Sequence, residues 1–343
     1  MNMHAVVLAA GKGTRMKSRL YKVMHPVCGK PMIEHVVDML DDLPLQNRVV
    51  VIGHGAEAVK SHLGERVQYV YQKEQLGTAH AVLMSRDILQ QEDGVTIVLN
   101  GDTPLVRSET LQQLVLHHRR KQAAATVLTA IVENPAGYGR IIRDESGDVI
   151  RIVEEKDATL GQKKICEIST GMFCFDNRKL FAALALVKNE NAQGEYYLPD
   201  VISILNEQGC TVAAYAADDP HEGRGANDRI QLAQLEELMR RRINEKHMRN
   251  GVTLVDPAAT YIEADAQIGR DSVIYPGTFL RGRTKIGEGC SIGPHVQLVD
   301  CQVQDGTSLS FFNASGRIIR TGASVGQPEE KPLQILRESA AAK

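Results

Sequence analysis

The chain has 343 residues, which is enough for two domains at roughly 100–200 residues each. Its 43% hydrophobic and 24% charged residues exclude a collagen-like or wholly disordered chain. Forty Lys and Arg against 42 Asp and Glu give a formal net charge of -2, with no Trp and 4% aromatic residues. This composition lacks the positive field and the stacking rings of nucleic-acid binders, so we expect no nucleic-acid partner.

Neither a membrane span nor an export signal is visible in the sequence. The longest apolar stretch, 123–132, falls well short of the ~18–20 residues that a span needs, and the early run 5–10 lacks the basic flank of a signal peptide. Six cysteines occur without a Cys-x-x-Cys pair, which favours buried, reduced thiols over a disulfide framework. We expect a cytoplasmic protein with no membrane partner.

From the N-terminus to about Ala217, short apolar runs alternate with helical stretches. This alternation predicts an α/β fold with a Rossmann-like, mixed but mostly parallel sheet. The predicted strands are 5–9, 48–52, 67–71, 95–99 and 126–132. The predicted helices are 31–40, 57–63, 78–89 and 108–120. Three further short strands, which interrupt the alternation and predict a lobe over one end of the sheet, are 139–143, 149–153 and 172–175.

The residue pattern changes twice after residue 227. Residues 228–249 contain no Gly or Pro and carry apolar residues at three- and four-residue steps, which predicts a connecting helix. Beyond it, one apolar residue recurs at every sixth position, a period that predicts a left-handed parallel β-helix with three hexads in each coil. The residues in this register are Ile262, Ile268, Ile274, Leu280, Ile286, Ile292 and Leu298.

A glycine-containing basic loop follows the first predicted strand. It lacks the Gly-Lys-Ser/Thr ending of a Walker A loop, and Met16 stands at the third glycine position of the dinucleotide fingerprint. Its backbone N–H groups can approach phosphate oxygens and Arg15 can form a forked contact to a polyphosphate, although a plain tight turn is the structural alternative. The segment reads Leu8-Ala9-Ala10-Gly11-Lys12-Gly13-Thr14-Arg15-Met16.

Eight motifs in a fixed order resemble the bacterial bifunctional N-acetylglucosamine-1-phosphate uridylyltransferase family. They are 8–16, 22–25, 29–32, 72–81, 101–105, 137–141, 154–158 and 191–197. The resemblance covers about residues 3–250, and the hexad repeat follows in the same order. It implies that UTP and N-acetylglucosamine 1-phosphate are joined into UDP-N-acetylglucosamine and pyrophosphate, with Mg2+ as cofactor. The resemblance and the residue patterns together predict a nucleotidyltransferase domain over 1–227, and the patterns predict a connecting helix over 228–250, a short β-helix over 251–310 and an irregular tail over 311–343.

The same resemblance assigns roles to individual residues. Lys22 is expected to bridge the sugar phosphate and the α-phosphate, and Arg15 to hold the departing pyrophosphate. Asp102 and Asn227 are the expected Mg2+ ligands; a turn aspartate and a helix N-cap are their structural alternatives. The expected nucleotide-binding residues are Leu8, Ala9, Ala10, Gly11, Gly13, Gln72, Gln75, Gly77 and Thr78. The expected sugar-binding residues are Asn100, Gly139, Glu154, Ser169 and Thr170.

Three positions depart from the family pattern. Tyr21 replaces a proline before Lys22, Ser169 replaces an asparagine, and Asn100 stands where an aromatic residue is common. The last two bear on the sugar, so a uridylyltransferase for another hexose 1-phosphate is the alternative within this class. A non-catalytic nucleotide-sugar binding or scaffold protein is the alternative from another class.

The C-terminal part raises expectations of its own. Since β-helices of this family associate along their flat faces, we expect a homotrimer. The hexad register is lost after Leu298 and no six-residue apolar series is evident over 308–325, so only a little over two coils are predicted. No Asn-Tyr-Asp-Gly motif occurs, and we therefore expect the acetyltransferase activity of the bifunctional relatives to be absent. Residues 327–343 are expected to form a poorly ordered tail.

Overall fold

The computed structural model describes residues 2–320 and 323–325. The chain divides into two compact units, the first ending at Met239 and the second beginning at Arg240. The division falls inside the helix Arg229–Arg249, which corresponds to the predicted connecting helix 228–250. No helix of the described chain combines the length and apolar character that crossing a membrane requires.

The first unit contains a nine-stranded sheet and a two-stranded one. Its strands are β1 Met3–Ala9, β2 Pro26–Val27, β3 Lys30–Pro31, β4 Asn47–Ile52, β5 Gln68–Tyr71, β6 Val95–Asn100, β7 Ala125–Ile131, β8 Arg140–Arg143, β9 Val149–Val153, β10 Glu167–Asp176 and β11 Val212–Ala216. Its helices are α1 Met32–Leu40, α2 Ala56–Leu63, α3 Thr78–Leu83, α4 Arg86–Leu89, α5 Ser108–Arg120, α6 Asn177–Leu184 and α7 Asp200–Glu207, and α8 is Arg229–Arg249.

The large sheet has the order β11-β7-β10-β6-β1-β4-β5, and it is mixed but mostly parallel, as predicted. Strand β10 is antiparallel to both β6 and β7, and the β8–β9 hairpin joins the sheet through β10. The prediction that 172–175 belongs to a separate lobe was therefore wrong, because these residues form part of β10 in the middle of the sheet. A period-two pattern identifies a strand but does not identify its partner.

Helices cover both faces of this sheet. Along β1, Ala5 and Val7 pack into one buried cluster with residues of α1, α2 and α5, whereas Val6 packs into a second cluster with residues of α3, α6 and α7. Successive side chains of a strand point to opposite faces, so these clusters are the two cores of a doubly wound fold. The predicted helix 78–89 is split into α3 and α4 around Ser85, whose buried hydroxyl donates to the Val82 carbonyl at 2.6 Å.

The second unit is a parallel β-helix built from three sheets. Its strands are β12 Thr253–Leu254, β13 Thr260–Ile262, β14 Gln267–Ile268, β15 Val273–Ile274, β16 Thr278–Arg281, β17 Lys285–Ile286, β18 Ser291–Ile292, β19 Gln297–Val299, β20 Gln302–Val303, β21 Ser308–Leu309, β22 Asn313–Ser315, β23 Ile318–Ile319 and β24 Ser324–Val325. The sheets run β12-β15-β18-β21-β24, β13-β16-β19-β22 and β14-β17-β20-β23.

The β-helix continues well beyond Leu298, so the expected end of the repeat near residue 310 was wrong. Its coils shorten: Phe279 pairs with a residue eighteen positions on, Lys285 with one seventeen on and Gln297 with one sixteen on. Each shortening removes one residue at a corner and shifts the inward position, which hides the repeat from a strict six-residue count. The inward residues that continue the series are Val303, Leu309, Ala314 and Ile319.

Two further expectations concern the tail and the cysteines. Strands β22 to β24 lie within the predicted irregular tail 311–343, whereas the expectation for 327–343 lies outside the described residues. All six cysteines are free thiols, but Cys166 is exposed and Cys210 is half-buried, so burial was predicted correctly for the other four only.

Candidate active site

The candidate site lies at the carboxyl edge of the large sheet. Strands β1 and β6 are parallel neighbours in which Leu8 is in register with Asn100, so the glycine loop after β1 and Asp102 after β6 leave the sheet side by side. Strand β5 ends at the same edge, directly before Gln72. Open α/β sheets bind their ligands beyond the carboxyl ends of the strands.

Two glycines shape the loop after β1. Gly13 has φ +60, and a Cβ placed on it would lie 2.6 Å from the Lys22 Cβ, so glycine is required there for the loop to pack against Lys22. A Cβ on Gly11 would meet nothing within 4 Å. The backbone at Gly11 therefore faces open space, as a phosphate-binding loop requires. Ala9 and Ala10 are buried beneath it and Leu8 is half-buried.

Four predicted residues form one polar cluster. The Lys22 ammonium pairs with Asp102 Oδ2 and donates to Asn227 Oδ1 at 2.8 Å, and Arg15 Nη2 donates to the same oxygen at 3.0 Å. The side chains of Lys22 and Asp102 are only 17% and 16% exposed. Two cationic side chains, Lys22 and Arg15, and two side chains with accepting oxygen atoms, Asp102 and Asn227, thus lie together near the glycine loop.

The N-cap alternative for Asn227 does not hold. The carboxylate of Asp228 accepts hydrogen bonds from the backbone N–H groups of Ile230 and Gln231, both at 2.9 Å, and thereby caps α8. Asn227 is instead held through its own backbone N–H, which donates to Gln231 Oε1 at 2.7 Å. Its side-chain amide is free to face Lys22 and Arg15.

The donor set of this cluster fits Mg2+. Asp102 Oδ2 and Asn227 Oδ1 are hard oxygen atoms that converge on one positive charge, the Lys22 ammonium. Gly225 lets the backbone pass close by, since a Cβ there would lie 3.0 Å from Asp102 Oδ2. Within the described residues, no group of three or more His, Cys, Asp or Glu is arranged so that it could hold a metal ion. Mg2+ is commonly held by one or two protein carboxyl groups together with substrate phosphates and water.

The predicted nucleotide-binding residues from Gln72 to Thr78 are held by hydrogen bonds within their own segment and to Leu198. Gln72 is 3% exposed, and its Nε2 donates to the Gly77 carbonyl at 3.1 Å and lies 3.0 Å from His80 Nδ1. Gln75 is half-buried and donates to the Gln72 carbonyl at 3.1 Å. Thr78 Oγ1 accepts from the backbone N–H of Leu198 at 2.9 Å. The side-chain N–H groups of Gln72 therefore shape the segment, and its side-chain oxygen Oε1 has no hydrogen bond within the described chain.

The predicted sugar residues surround a bulge in β10. The register of β10 against β7 shifts between Ser169 and Met172, and Gly171, with φ +74, lies in that bulge. The Ser169 hydroxyl accepts from the Gly171 N–H at 3.2 Å, and Thr170 Oγ1 donates to the Leu128 carbonyl at 2.7 Å. Asn100 Nδ2 donates to the Gly171 carbonyl at 3.5 Å. The side chains of these three residues hold the bulge in shape.

Gly139 and Glu154 lie on the β8–β9 side of the same place. The Gly139 carbonyl accepts from the backbone N–H of Ser169 at 2.8 Å, and a Cβ on Gly139 would lie 3.2 Å from Glu154 Oε1. Burial raises the pKa of Glu154, to which Asp157 and Asp200 add while Arg140 opposes them. Burial and then Asp157 raise the pKa of Asp200 to about 6.

Some site-forming residues were missed in the sequence. Arg140 is 1% exposed, donates to the Tyr138 carbonyl and pairs with Glu155 at 2.7 Å, and so fixes the turn that carries Gly139. Gly225 flanks Asp102, as described above. The only signals available were the arginine after Gly139 and the Gly-Arg-Gly triplet 223–225 shortly before Asn227.

Comparisons with known proteins agree with this architecture. Residues 4–220 match the family described as nucleotidyl transferase, and residues 260–299 match the bacterial transferase hexapeptide family of six repeats. A Bacillus anthracis structure, provisionally described as a glucose-1-phosphate thymidylyltransferase in complex with a sucrose, is 22% identical with a TM-score of 0.56. The match covers 69% of this chain and 94% of that one. At this identity the likeness shows the fold alone.

Two relatives share far more sequence. The chain is 54% identical over 324 residues to the bifunctional protein GlmU of Brevibacillus brevis, covering 94% of this chain and 70% of the relative. It is 58% identical over 308 residues to the bifunctional protein GlmU of Halalkalibacterium halodurans, covering 90% of this chain and 68% of the relative. With its glycine loop and its Lys22–Asp102–Asn227 cluster at the sheet edge, the chain is a nucleotidyltransferase that belongs to the GlmU family.

Proposed function

We propose that this chain transfers a uridylyl group from UTP to N-acetylglucosamine 1-phosphate, forming UDP-N-acetylglucosamine and pyrophosphate. The observation that carries the proposal is the convergence of Arg15, Lys22, Asp102 and Asn227 at the carboxyl edge of the sheet. This cluster lies after the open glycine loop, where a triphosphate fits.

The reaction needs positioning and charge neutralisation rather than a nucleophilic side chain. An oxygen of the sugar phosphate attacks the α-phosphorus of UTP, and the bond from that phosphorus to the departing pyrophosphate breaks in line with it. Lys22 holds the sugar phosphate and the α-phosphate together, which turns an encounter of two polyanions into a reaction within one complex. Arg15 and the N–H groups at Gly11 and Gly13 bind the oxygens of the departing group.

The metal is part of the proposal. Asp102 and Asn227 would hold Mg2+, because their oxygens supply the hard donors that this ion prefers. Held by these two residues, Mg2+ would supply positive charge that stabilises the negative charge developing in the reaction. We therefore expect no turnover in excess EDTA and recovery on addition of Mg2+.

A panel of nucleoside triphosphates against sugar 1-phosphates, scored for pyrophosphate release with Mg2+, tests the proposal. We expect the highest kcat/KM for UTP with N-acetylglucosamine 1-phosphate. A higher kcat/KM for another hexose 1-phosphate would show that this compound, and not N-acetylglucosamine 1-phosphate, is the substrate. Binding of UTP without any pyrophosphate release would favour a scaffold protein. Ser169→Asn is expected to raise the preference for the N-acetyl sugar over glucose 1-phosphate, because an amide restores a longer hydrogen-bonding group beside the bulge.

We also propose that the chain forms a homotrimer through its β-helix. The support is the set of three parallel sheets in the second unit together with its match to the hexapeptide family. Light scattering at micromolar concentration should give the mass of a trimer, and a monomer mass would overturn the proposal. Absence of acetyl transfer stays a prediction; release of free coenzyme A from acetyl-CoA and glucosamine 1-phosphate would contradict it.

A further inference from the structure

A cavity of about 240 Å3 opens in the first unit beside the candidate active site. None of the residues assigned above to the catalytic groups, the nucleotide, the sugar or the metal lines it. Its polar lining includes Tyr138, Arg224, Gln231 and Gln234, and Ile168 and Leu235 contribute apolar wall. The cavity is therefore a separate space with its own chemistry.

The cavity nevertheless shares walls with the active site. Gly225 lines it, and a Cβ on Gly225 would lie 3.0 Å from Asp102 Oδ2. Gly223 lines it as well, and a Cβ there would lie 2.5 Å from Thr170 Cγ2. The loop that carries Arg224 thus borders both the cavity and the predicted metal and sugar residues.

Arg224 is a half-buried cation without a counter-ion in the described chain. Its neighbours of opposite charge are already engaged: Asp102 pairs with Lys22, and Arg107 pairs with Asp219 at 3.1 Å and with Glu222 at 3.7 Å. The backbone N–H of Arg224 donates to the His221 carbonyl at 3.0 Å, which fixes the main chain where Arg224 lines the cavity.

Tyr138 supplies a second donor. It is half-buried, its backbone N–H donates to the Pro135 carbonyl at 3.3 Å, and its hydroxyl makes no hydrogen bond within the described residues. Burial raises the pKa of Tyr138; Arg224 opposes this rise and Asp102 adds to it. The phenol therefore keeps its proton at neutral pH and can donate it to a ligand.

The chemistry of this lining selects an oxyanion. A guanidinium offers five N–H donors and no acceptor, and it matches phosphate or carboxylate oxygens in pairs. The phenol and the two glutamine amides add further donors. At about 240 Å3 the cavity is smaller than the roughly 300–1,000 Å3 typical of pockets for drug-sized ligands, so a small ion fits better than a nucleotide.

We propose that this cavity binds a small phosphate-class anion through Arg224 and Tyr138, beside the active site and separate from the groups that hold the reacting phosphates. Free phosphate and pyrophosphate share this chemistry. The inference concerns binding alone, so it holds whichever sugar 1-phosphate the enzyme uses.

Calorimetric titration of inorganic phosphate into the full chain, in a metal-chelated buffer without substrates, tests the proposal. Arg224→Gln should weaken binding by about tenfold or more, because a charge-assisted pair is lost. Arg15→Gln, in the catalytic cluster, and Arg151→Gln, an exposed arginine of β9, should each change the Arg224-dependent binding by less than about twofold. A parallel titration with pyrophosphate identifies the source, since the anion with the tighter Arg224-dependent binding is the natural ligand.

Three results would overturn the inference: unchanged affinity in Arg224→Gln, loss of binding in Arg15→Gln alone, or no phosphate binding by the native chain at millimolar concentration. Two more conservative variants keep the proposal testable if Arg224→Gln does not fold. Tyr138→Phe removes only the hydroxyl, and Arg224→Lys keeps the charge but removes the fork, so each should weaken binding by about threefold. Unchanged affinity in both would also reject the site.

Discussion

Lys22 is the residue on which the proposed chemistry depends most directly. Its ammonium contacts both predicted metal ligands, so Lys22→Met removes the charge that would hold the sugar phosphate against the α-phosphate. We expect kcat to fall by about 100-fold or more, since loss of one preorganised charge at a reacting centre has that magnitude. Lys121→Met, at an exposed lysine after α5, is the matched control and should leave kcat unchanged. Equal losses in the two variants would contradict the assignment.

The carboxyl groups near the predicted sugar residues give a pH dependence. A raised pKa means that Glu154 and Asp200 take up protons at a higher pH than free carboxyls, and a protonated Glu154 accepts sugar hydroxyls less well. The KM for the sugar 1-phosphate should therefore rise as the pH falls, and the rise should begin at a higher pH than protonation of an ordinary glutamate would give. Asp200→Asn removes one of the charges that raise the pKa of Glu154, so the rise should move to lower pH.

The comparison between native and Asp200→Asn enzyme isolates the protein's contribution, because the phosphate of the substrate titrates identically with both. The measurement is the KM for the sugar 1-phosphate from pH 5 to pH 8. Superimposable profiles would show that Asp200 does not influence sugar binding.

Tyr21, which departs from the family pattern, has a structural partner in Gly55. A Cβ on Gly55 would lie 1.4 Å from Tyr21 Cζ, and the Tyr21 ring meets His54 edge-on at 5.7 Å. Gly55→Ala should displace this ring and loosen the adjacent Lys22, so that both stability and kcat fall. Gly64→Ala is the control: φ is also positive, at +59, but nothing lies within 4 Å of its Cβ.

Both substitutions place alanine where φ is positive, and each should therefore cost about 1 kcal/mol or more of folding free energy. Only Gly55→Ala should also lower kcat. A drop in kcat of the same size in Gly64→Ala would show that general destabilisation, and not the Tyr21 contact, is responsible.

Among the secondary-structure elements, those with local periodicity were predictable and those that depend on a distant partner were not. Strands β1, β4 and β6 are continuous apolar runs, as buried parallel strands are, and their positions were predicted to within one or two residues. The insertion of β10 between β6 and β7, and its bulge at Gly171, arise from antiparallel pairing over a long sequence distance. The alternation of residues within β10 does not indicate which strands it pairs with.

The same reasoning applies to the site. The glycine loop was identifiable because its residue types match phosphate chemistry at a strand end, whereas the roles of Lys22 and Asp102 were assigned through the resemblance to the family. Either Asn227 or Asp228 could have capped α8, because both side chains can accept hydrogen bonds from backbone N–H groups. In the structure Asp228 caps the helix and Asn227 joins the cluster, which the sequence alone does not reveal. The cavity around Arg224 needed the fold itself, since its lining comes from three separate segments of the chain.

The last turns of the β-helix allow a test at the level of the element. In β23 the neighbouring residues Ile318 and Ile319 point in opposite directions: Ile318 is 68% exposed, whereas Ile319 packs against the core of the second unit. Ile319→Ala should destabilise that unit by about 1–3 kcal/mol, and Ile318→Ala by less than about 0.5 kcal/mol. Urea unfolding of the two variants checks this, and the reverse order would show that the shortened coils have the other register.

Within the described residues, the buried apolar clusters fall into two sets, one in each unit. The clusters of the large sheet and the small cluster around Leu105 and Leu235 lie within the first unit, and the cluster of the β-helix begins at Ile243 in the second. Each unit therefore has its own source of hydrophobic stabilisation, and cooperative unfolding of each by itself is the expected behaviour. The change of period in the sequence predicted this division, because a helical or two-residue period cannot build the hexad core.

Separate cores predict separate thermal transitions. Ligands stabilise only the folded unit that binds them, so UTP with Mg2+ should raise the midpoint of one transition by an amount that grows with ligand concentration and leave the other in place. Ile319→Ala should lower the second transition only. Differential scanning calorimetry of the native chain and of Ile319→Ala, each with and without UTP and Mg2+, measures all four cases. A single transition that responds to both ligand and substitution would show that the two units unfold as one.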